Sequence, residues 1–296
     1  MTHARYKITP LTRHQTGAEI HGLDLKSDID AQLRRELNAD FAKYHVLVFR
    51  DQTLTARQFA AAGEIFGPLM PQHHRNTRTL DHPQVAQIQN TEIAPGKYLI
   101  VGESFHTDHS NHPYPPKATA LHPVSLPSRG GDTQFVNMHN AYDNLPDTMK
   151  RRIEGLKVVH VPESKYSPRQ LRPATEESRK AMPPPVAHPM VRTHPQNGRK
   201  FLYLSPTRME SIIGMEDTDA LALFGELMNH ATQKKYEYRH QWLYGDLVIW
   251  DNRSVMHQAN GDYDMKEVRR LYRILIQDDP VLWAAEGEKT LAFAGP

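Results

Sequence analysis

The stretch GDLVIWDNRSVMHQA, from Gly245 to Ala259, decides how the chain folds. Gly245-Asp246 has turn chemistry, Leu247 to Trp250 is a short apolar run, and Asp251-Asn252 is a second turn before His257 on what reads as the next strand. Similar runs recur on either side: HVLVFR (His45 to Arg50), TQFVNM (Thr133 to Met138), KFLYLS (Lys200 to Ser205) and RRLYRILI (Arg269 to Ile276). Helical spacing appears at Asp28 to Tyr44, at TARQFAAAGEIFG with Thr55 as N-cap and Gly67 as stop, and near Asp219 to Ala231. Short strands separated by turns, with few helices between them, predict a mainly β fold with flanking helices. A jelly roll with helices packed outside is the architecture this pattern suits.

The chain of 296 residues is long enough for one large domain or at most two smaller ones. No internal repeat or low-complexity linker divides it. With 39% hydrophobic and 24% charged residues it has the composition of a soluble globular protein. Its 36 basic and 34 acidic side chains leave a net charge of +2, which gives no nucleic-acid footprint but leaves room for a local basic pocket. The absence of cysteine excludes disulfides, thiolate zinc sites, iron–sulfur clusters and a cysteine nucleophile, and it fits a reducing compartment. Any metal must then be held by nitrogen and oxygen, for which 18 histidines offer candidates. The N-terminus lacks a secretory pattern, and no stretch approaches the roughly 18 apolar residues of a membrane span, so a cytoplasmic protein with no membrane partner is expected. Two irregular segments, 68–104 and 162–185, read as lid-like loops.

Three further stretches carry chemistry. In SFHTDHS, a strand would point His106 and Asp108 to one face and Thr107 to the other. Two such neighbours and a third ligand from elsewhere would give the 2-His-1-carboxylate face of non-haem iron oxygenases. About one His-x-Asp is expected by chance in a chain this long, so the tripeptide needs context. His257 taken alone reads as a satisfied core histidine. In VRRLYRILI, Arg269, Leu271 and Arg273 share one strand face, with Arg270 and Tyr272 on the other. Two guanidinium forks on one face suit two carboxylate-like anions, while a solvated edge with salt bridges is the plainer alternative. SRGGDTQF places a tight Gly130-Gly131 turn before Thr133, whose hydroxyl can face inward.

Taken together these blocks resemble the family of taurine dioxygenase and 2,4-dichlorophenoxyacetate dioxygenase. The resemblance runs in order through ITPLTRHQTGAEIHGLDL, HVLVFRDQ, FGPL, FHTDHS, LPSRGGDTQFVNMHNAYDNLP, HPMVRTHPQNGRKFLYL, GDLVIWDNRSVMHQANGDYD and RRLYR. It implies a double-stranded β-helix (jelly-roll) core in a single domain over 1–296. It implies Fe(II), 2-oxoglutarate as co-substrate and O2. It carries the iron ligands onto His106, Asp108 and His257, the far carboxylate of 2-oxoglutarate onto Thr133 and Arg269, and the substrate anion onto Arg273. The stretch between His257 and the arginines is one residue longer than the family pattern, which leaves Arg270 as the fallback for Arg269. His73, His74 and Phe105 are further candidates for substrate contact. The implied substrate is a small organic anion, of aryloxyalkanoate, sulfonate or sulfate type, and the implied assembly a homo-oligomer. A metal-dependent hydrolase and a catalytically silent jelly-roll binding protein are the other classes these residues allow.

Overall fold

The computed structural model describes residues 5–72, 77–169 and 183–278. In chain order they form β1 (Lys7–Pro10), β2 (Ala18–His21), α1 (Ala31–Tyr44), β3 (Val46–Phe49), α2 (Ala56–Glu64), β4 (Ala86–Gln89), β5 (Thr91–Ala94) and β6 (Lys97–Leu99). Then follow β7 (Ala118–Ser125), β8 (Thr133–Asn137), α3 (Met138–Asp143), α4 (Asp147–Ile153), β9 (Lys157–His160), β10 (Val186–Pro189), β11 (Val191–Thr193), β12 (Lys200–Leu202) and β13 (Met209–Ile212). The last elements are α5 (Asp217–Ala231), β14 (Glu237–His240), β15 (Leu247–Asp251), β16 (Val255–Ala259) and β17 (Arg270–Ile276).

The helices start where side chains satisfy their free N–H groups. Asp30 accepts from the Leu33 N–H at 2.9 Å and starts α1. At α2 the Thr55 hydroxyl accepts from the Gln58 N–H, while the Gln58 side chain accepts from the Thr55 N–H.

Seven strands form one sheet in the order β1-β2-β3-β15-β7-β17-β4, and three form a second, β14-β8-β16. Alternation along the strands decides what lies on each face. Val46, Val48, Leu121, Val248, Trp250 and Leu271 of the large sheet meet Phe135, Val255 and Trp242 in one buried cluster, with Phe135 and Trp250 ring centroids 5.3 Å apart. The intervening Leu47, Phe49, Ile249 and Ile274 pack outward against Leu37 and Phe41 of α1 and Phe59 of α2. Val136 and Met256, on the far side of the small sheet, join Ile153 of α4 and Leu223 and Leu227 of α5. Every residue of β3 is buried, and each such side chain contributes about 1.5–3 kcal/mol relative to exposure. The seam between the two sheets is therefore enclosed by protein on both sides. No helix among the described residues is long and apolar enough to cross a membrane.

Three expectations change. Residues 105–108 are not a strand: His106 makes one isolated antiparallel bridge to His257, and Asp108 opens a turn through His109, which has φ +47°. The run Thr-Asp-His-Ser has no apolar alternation to hold a longer ladder. The segment 68–104, read as irregular, contains β4, β5 and β6, and β4 pairs with β17 at the edge of the large sheet. The half-exposed Gln87 and exposed Gln89 of that edge strand hide its pattern. KFLYLS also forms a shorter strand than expected, ending at Leu202. His73, His74 and residues 170–182 of the second lid-like segment lie outside the described residues.

Candidate active site

The seam holds the first three candidates. His257 sits in β16, opposite Phe135 of β8. His106 Nε2 lies 3.4 Å from Asp108 Oδ1, and His257 Nε2 lies 3.7 Å from Asp108 Oδ2. Their ligand atoms all fall within 4.8 Å of one another, the one such trio of histidine or carboxylate side chains among the described residues. Thr107 points the other way, with its hydroxyl donating to the Leu204 carbonyl at 2.9 Å.

Protonation suits the trio to a cation. His106 Nδ1 is 2.8 Å from the Ser104 carbonyl, which can only accept, so Nδ1 carries a hydrogen and Nε2 is the nitrogen turned to the trio. Burial pushes His257 down to about 3, and the neighbouring His106 adds to the effect, so it is neutral at pH 7. Burial works against ionised Asp108, but the imidazoles of His257 and His106 outweigh it and hold the carboxyl well below its usual range. Two imidazole nitrogens and one carboxylate oxygen are therefore the donor set that fits a divalent ion. Gly102 keeps that space open, because a Cβ there would lie 3.1 Å from His106 Cε1.

The same cavity is lined by Thr133, Arg269 and Arg273, with Ile88, Val101, Leu121 and Ala259 as apolar wall. Arg269 Nε donates to the Gly131 carbonyl at 2.7 Å and Nη2 to Thr133 Oγ1 at 3.2 Å. Trp242 Nε1 donates to the same Oγ1 at 3.0 Å. Thr133 Oγ1 thus accepts twice, which leaves its own hydrogen to be given elsewhere. Gly131, at φ +72°, is required here, since a Cβ would meet Arg269 Cδ at 3.0 Å. Burial pushes Arg269 down to about 10, which still leaves it a cation at pH 7. Arg273 is also lowered by burial, with Asp108 opposing, and its Nη2 donates to Gln72 Oε1 at 3.2 Å. Arg270 faces away and donates to Gln89 Oε1 at 2.8 Å.

Sequence reading brought together six of the residues in this cavity and missed others. Thr119 and Trp250 also line it. Neither carried a signal, because a threonine and a tryptophan in apolar strands read as core. Phe105 packs, half-buried, against the cluster around Val136 and Met256, and it is not among the residues lining the cavity.

A seam between two sheets, carrying two imidazoles, a carboxylate and a pair of arginines, is the arrangement of a non-haem metal oxygenase with an anionic co-substrate. The family described as "Taurine catabolism dioxygenase TauD, TfdA family" matches residues 7–275, and the chain belongs to it. It is 34% identical over 287 residues to the alpha-ketoglutarate-dependent 2,4-dichlorophenoxyacetate dioxygenase of Cupriavidus pinatubonensis, covering 90% of this chain and 96% of the relative. It is 33% identical to an alpha-ketoglutarate-dependent sulfate ester dioxygenase of Pseudomonas putida, covering 83% and 82%. Among solved structures it matches AAD-2 in complex with Mn(II) and N-oxalylglycine, with a TM-score of 0.76, 31% identity, and 94% and 98% of the two chains covered.

Proposed function

We propose that the chain is an Fe(II)- and 2-oxoglutarate-dependent dioxygenase that hydroxylates a small organic anion. The observation that carries this reading is that the His106–Asp108–His257 trio and the Arg269–Thr133 pair line one cavity. His106, Asp108 and His257 would hold the iron. When bound, Fe(II) with 2-oxoglutarate and O2 supplies the oxidation of a substrate C–H bond, with release of succinate and CO2.

The chain's own residues position the partners. Arg269 presents its guanidinium and Thr133 its hydroxyl hydrogen to the far carboxylate of 2-oxoglutarate. Arg273 retains donors beyond the bond to Gln72 and takes the anionic group of the substrate. Ile88, Val101 and Leu121 exclude water around the substrate body. Ile88 and Val101 belong to 68–104, which supports that segment as a cover over the site within a single domain. The two stacked sheets support a jelly-roll core. Similarity to the 2,4-dichlorophenoxyacetate enzyme puts aryloxyalkanoates first among substrates, and the sulfate ester relative puts alkyl sulfates and sulfonates next. The family resemblance supports a homo-oligomer, and a cytoplasmic location is part of the same proposal.

The test is succinate release from 2-oxoglutarate with Fe(II) and ascorbate, screened against aryloxyalkanoates, alkyl sulfates and sulfonates. One class should stimulate turnover, and Asp108→Ala should abolish it. Turnover that survives Asp108→Ala would overturn the ligand set. Cleavage of a substrate with 2-oxoglutarate unconsumed would mark a hydrolase instead.

A further inference from the structure

We infer that Thr119, Asn252 and Trp250 form a one-way hydrogen-bond chain that commits one oxygen of Asp108 and leaves the other to the metal. The inference rests on the metal-site reading above. Trp250 Nε1 is 3.0 Å from Asn252 Oδ1, Asn252 Nδ2 is 2.8 Å from Thr119 Oγ1, and Thr119 Oγ1 is 2.6 Å from Asp108 Oδ2. Thr119, Asn252 and Trp250 are buried to 1% exposure or less, so water does not substitute for any link.

The direction follows from donor chemistry. An indole N–H can only donate, so the Asn252 amide must turn its oxygen to Trp250. Its NH2 then faces Thr119 and occupies a lone pair of the hydroxyl. Thr119 has one hydrogen left, and Asp108 Oδ2 is the acceptor it meets. A hydroxyl-to-carboxylate bond at 2.6 Å is charge-assisted and strong. The chain cannot run backwards, because its origin has no acceptor.

The consequence lies at the metal. Oδ2 lies 3.7 Å from His257 Nε2 but is taken up by Thr119, so Oδ1, 3.4 Å from His106 Nε2, is the oxygen without a hydroxyl donor. Asp108 is thereby held as a ligand through one oxygen, which leaves room on the cation for a two-point co-substrate. Trp250 also packs its ring 4.5 Å from the His257 ring, so one strand residue steadies two of the three ligands. Asn252 is anchored in turn by its backbone N–H, which donates to the Lys117 carbonyl at 2.9 Å. These are positioning residues and act through Asp108.

The metal-free protein is titrated with Co(II), reading both affinity and the visible d–d bands, which respond to coordination number. Thr119→Val removes the hydroxyl at constant volume. It should weaken Co(II) about 10–100-fold and alter the band intensity as the second oxygen becomes available. Thr119→Ser restores the donor and should stay within about threefold of wild type with its spectrum unchanged. Asn252→Asp removes the N–H, so the Thr119 hydrogen turns to the introduced carboxylate. Its spectrum should follow Thr119→Val even though the added negative charge favours cations, and it serves as the test if Thr119→Val does not fold. Wild-type affinity and spectrum in Thr119→Val and in Asn252→Asp, with Asp108→Ala unable to bind, would overturn the chain alone. A wild-type protein that does not bind Co(II) would overturn the metal site and the chain with it.

Discussion

His106 and His257, distant in sequence, exchange two backbone hydrogen bonds: the N–H of each donates to the carbonyl of the other at 3.0 Å. These bonds hold the irregular segment before Asp108 against β16 and set the two imidazoles with ring centroids 4.3 Å apart. The bridge uses main-chain atoms and survives loss of either side chain. His106→Ala is therefore expected to keep the circular dichroism spectrum of wild type while losing more than about 100-fold in metal affinity, since even outer partners of such sites cost 10–100-fold. Unchanged affinity by titration would remove His106 from the ligand set.

The arginines should separate by substrate. Arg269→Ala breaks the bonds to Gly131 and Thr133 and should raise the Michaelis constant for 2-oxoglutarate about 10–100-fold, the scale of a lost charged hydrogen bond. Arg273→Ala should act on the primary substrate instead. Arg270→Ala, whose partner is Gln89, should leave both constants within about twofold. Steady-state kinetics with each co-substrate varied will show the pattern, and a large effect of Arg270→Ala would reverse the choice of face.

Acid should unfold the protein early. Burial lowers His139 from 6.5 to about 4 and His188 to about 3, and it holds His45 well below its usual value. Each is neutral in the folded chain, while the unfolded chain takes up a proton below about pH 6.5. Their contribution is fully present above pH 6.5 and is lost as pH falls towards the folded values. The slope is about 1.4 kcal/mol per pH unit for each histidine. Urea midpoints at pH 7, 6 and 5 should fall steeply, and His139→Gln should flatten the slope by one such share. A flat profile in wild type would contradict the buried neutral assignment.

Asp251 closes the turn between β15 and β16. It accepts from Arg253 Nε at 2.8 Å, Arg253 Nη2 at 2.6 Å and His194 Nε2 at 3.0 Å, and both acid and arginine are buried. Removing one member leaves an uncompensated buried charge. Asp251→Ala is expected to cost about 3–5 kcal/mol in urea unfolding, and a loss under 1 kcal/mol would mean that Asp278, at 3.2 Å from Arg253, suffices alone.

Much of this arrangement was legible in the chain. Thr55 as N-cap announced α2, the run Leu247 to Trp250 announced β15, and alternation put Arg269 and Arg273 on one face and Arg270 on the other. Caps, turns and strand alternation are short-range, so residues a few positions apart carry them. The polar edge strand β4 was hidden because Gln87 and Gln89 face outward at the sheet margin.

By itself, then, the sequence determined the β frame, the donor types available to a metal and the spacing of the arginines. Tertiary structure alone decided that His106 meets His257 through a single bridge, that Gly131 seats Arg269, and that Trp250, Asn252 and Thr119 converge on Asp108. The reason is physical: apart from the local Trp250–Asn252 bond, those contacts join residues from different parts of the chain, and their geometry exists only once the fold has packed.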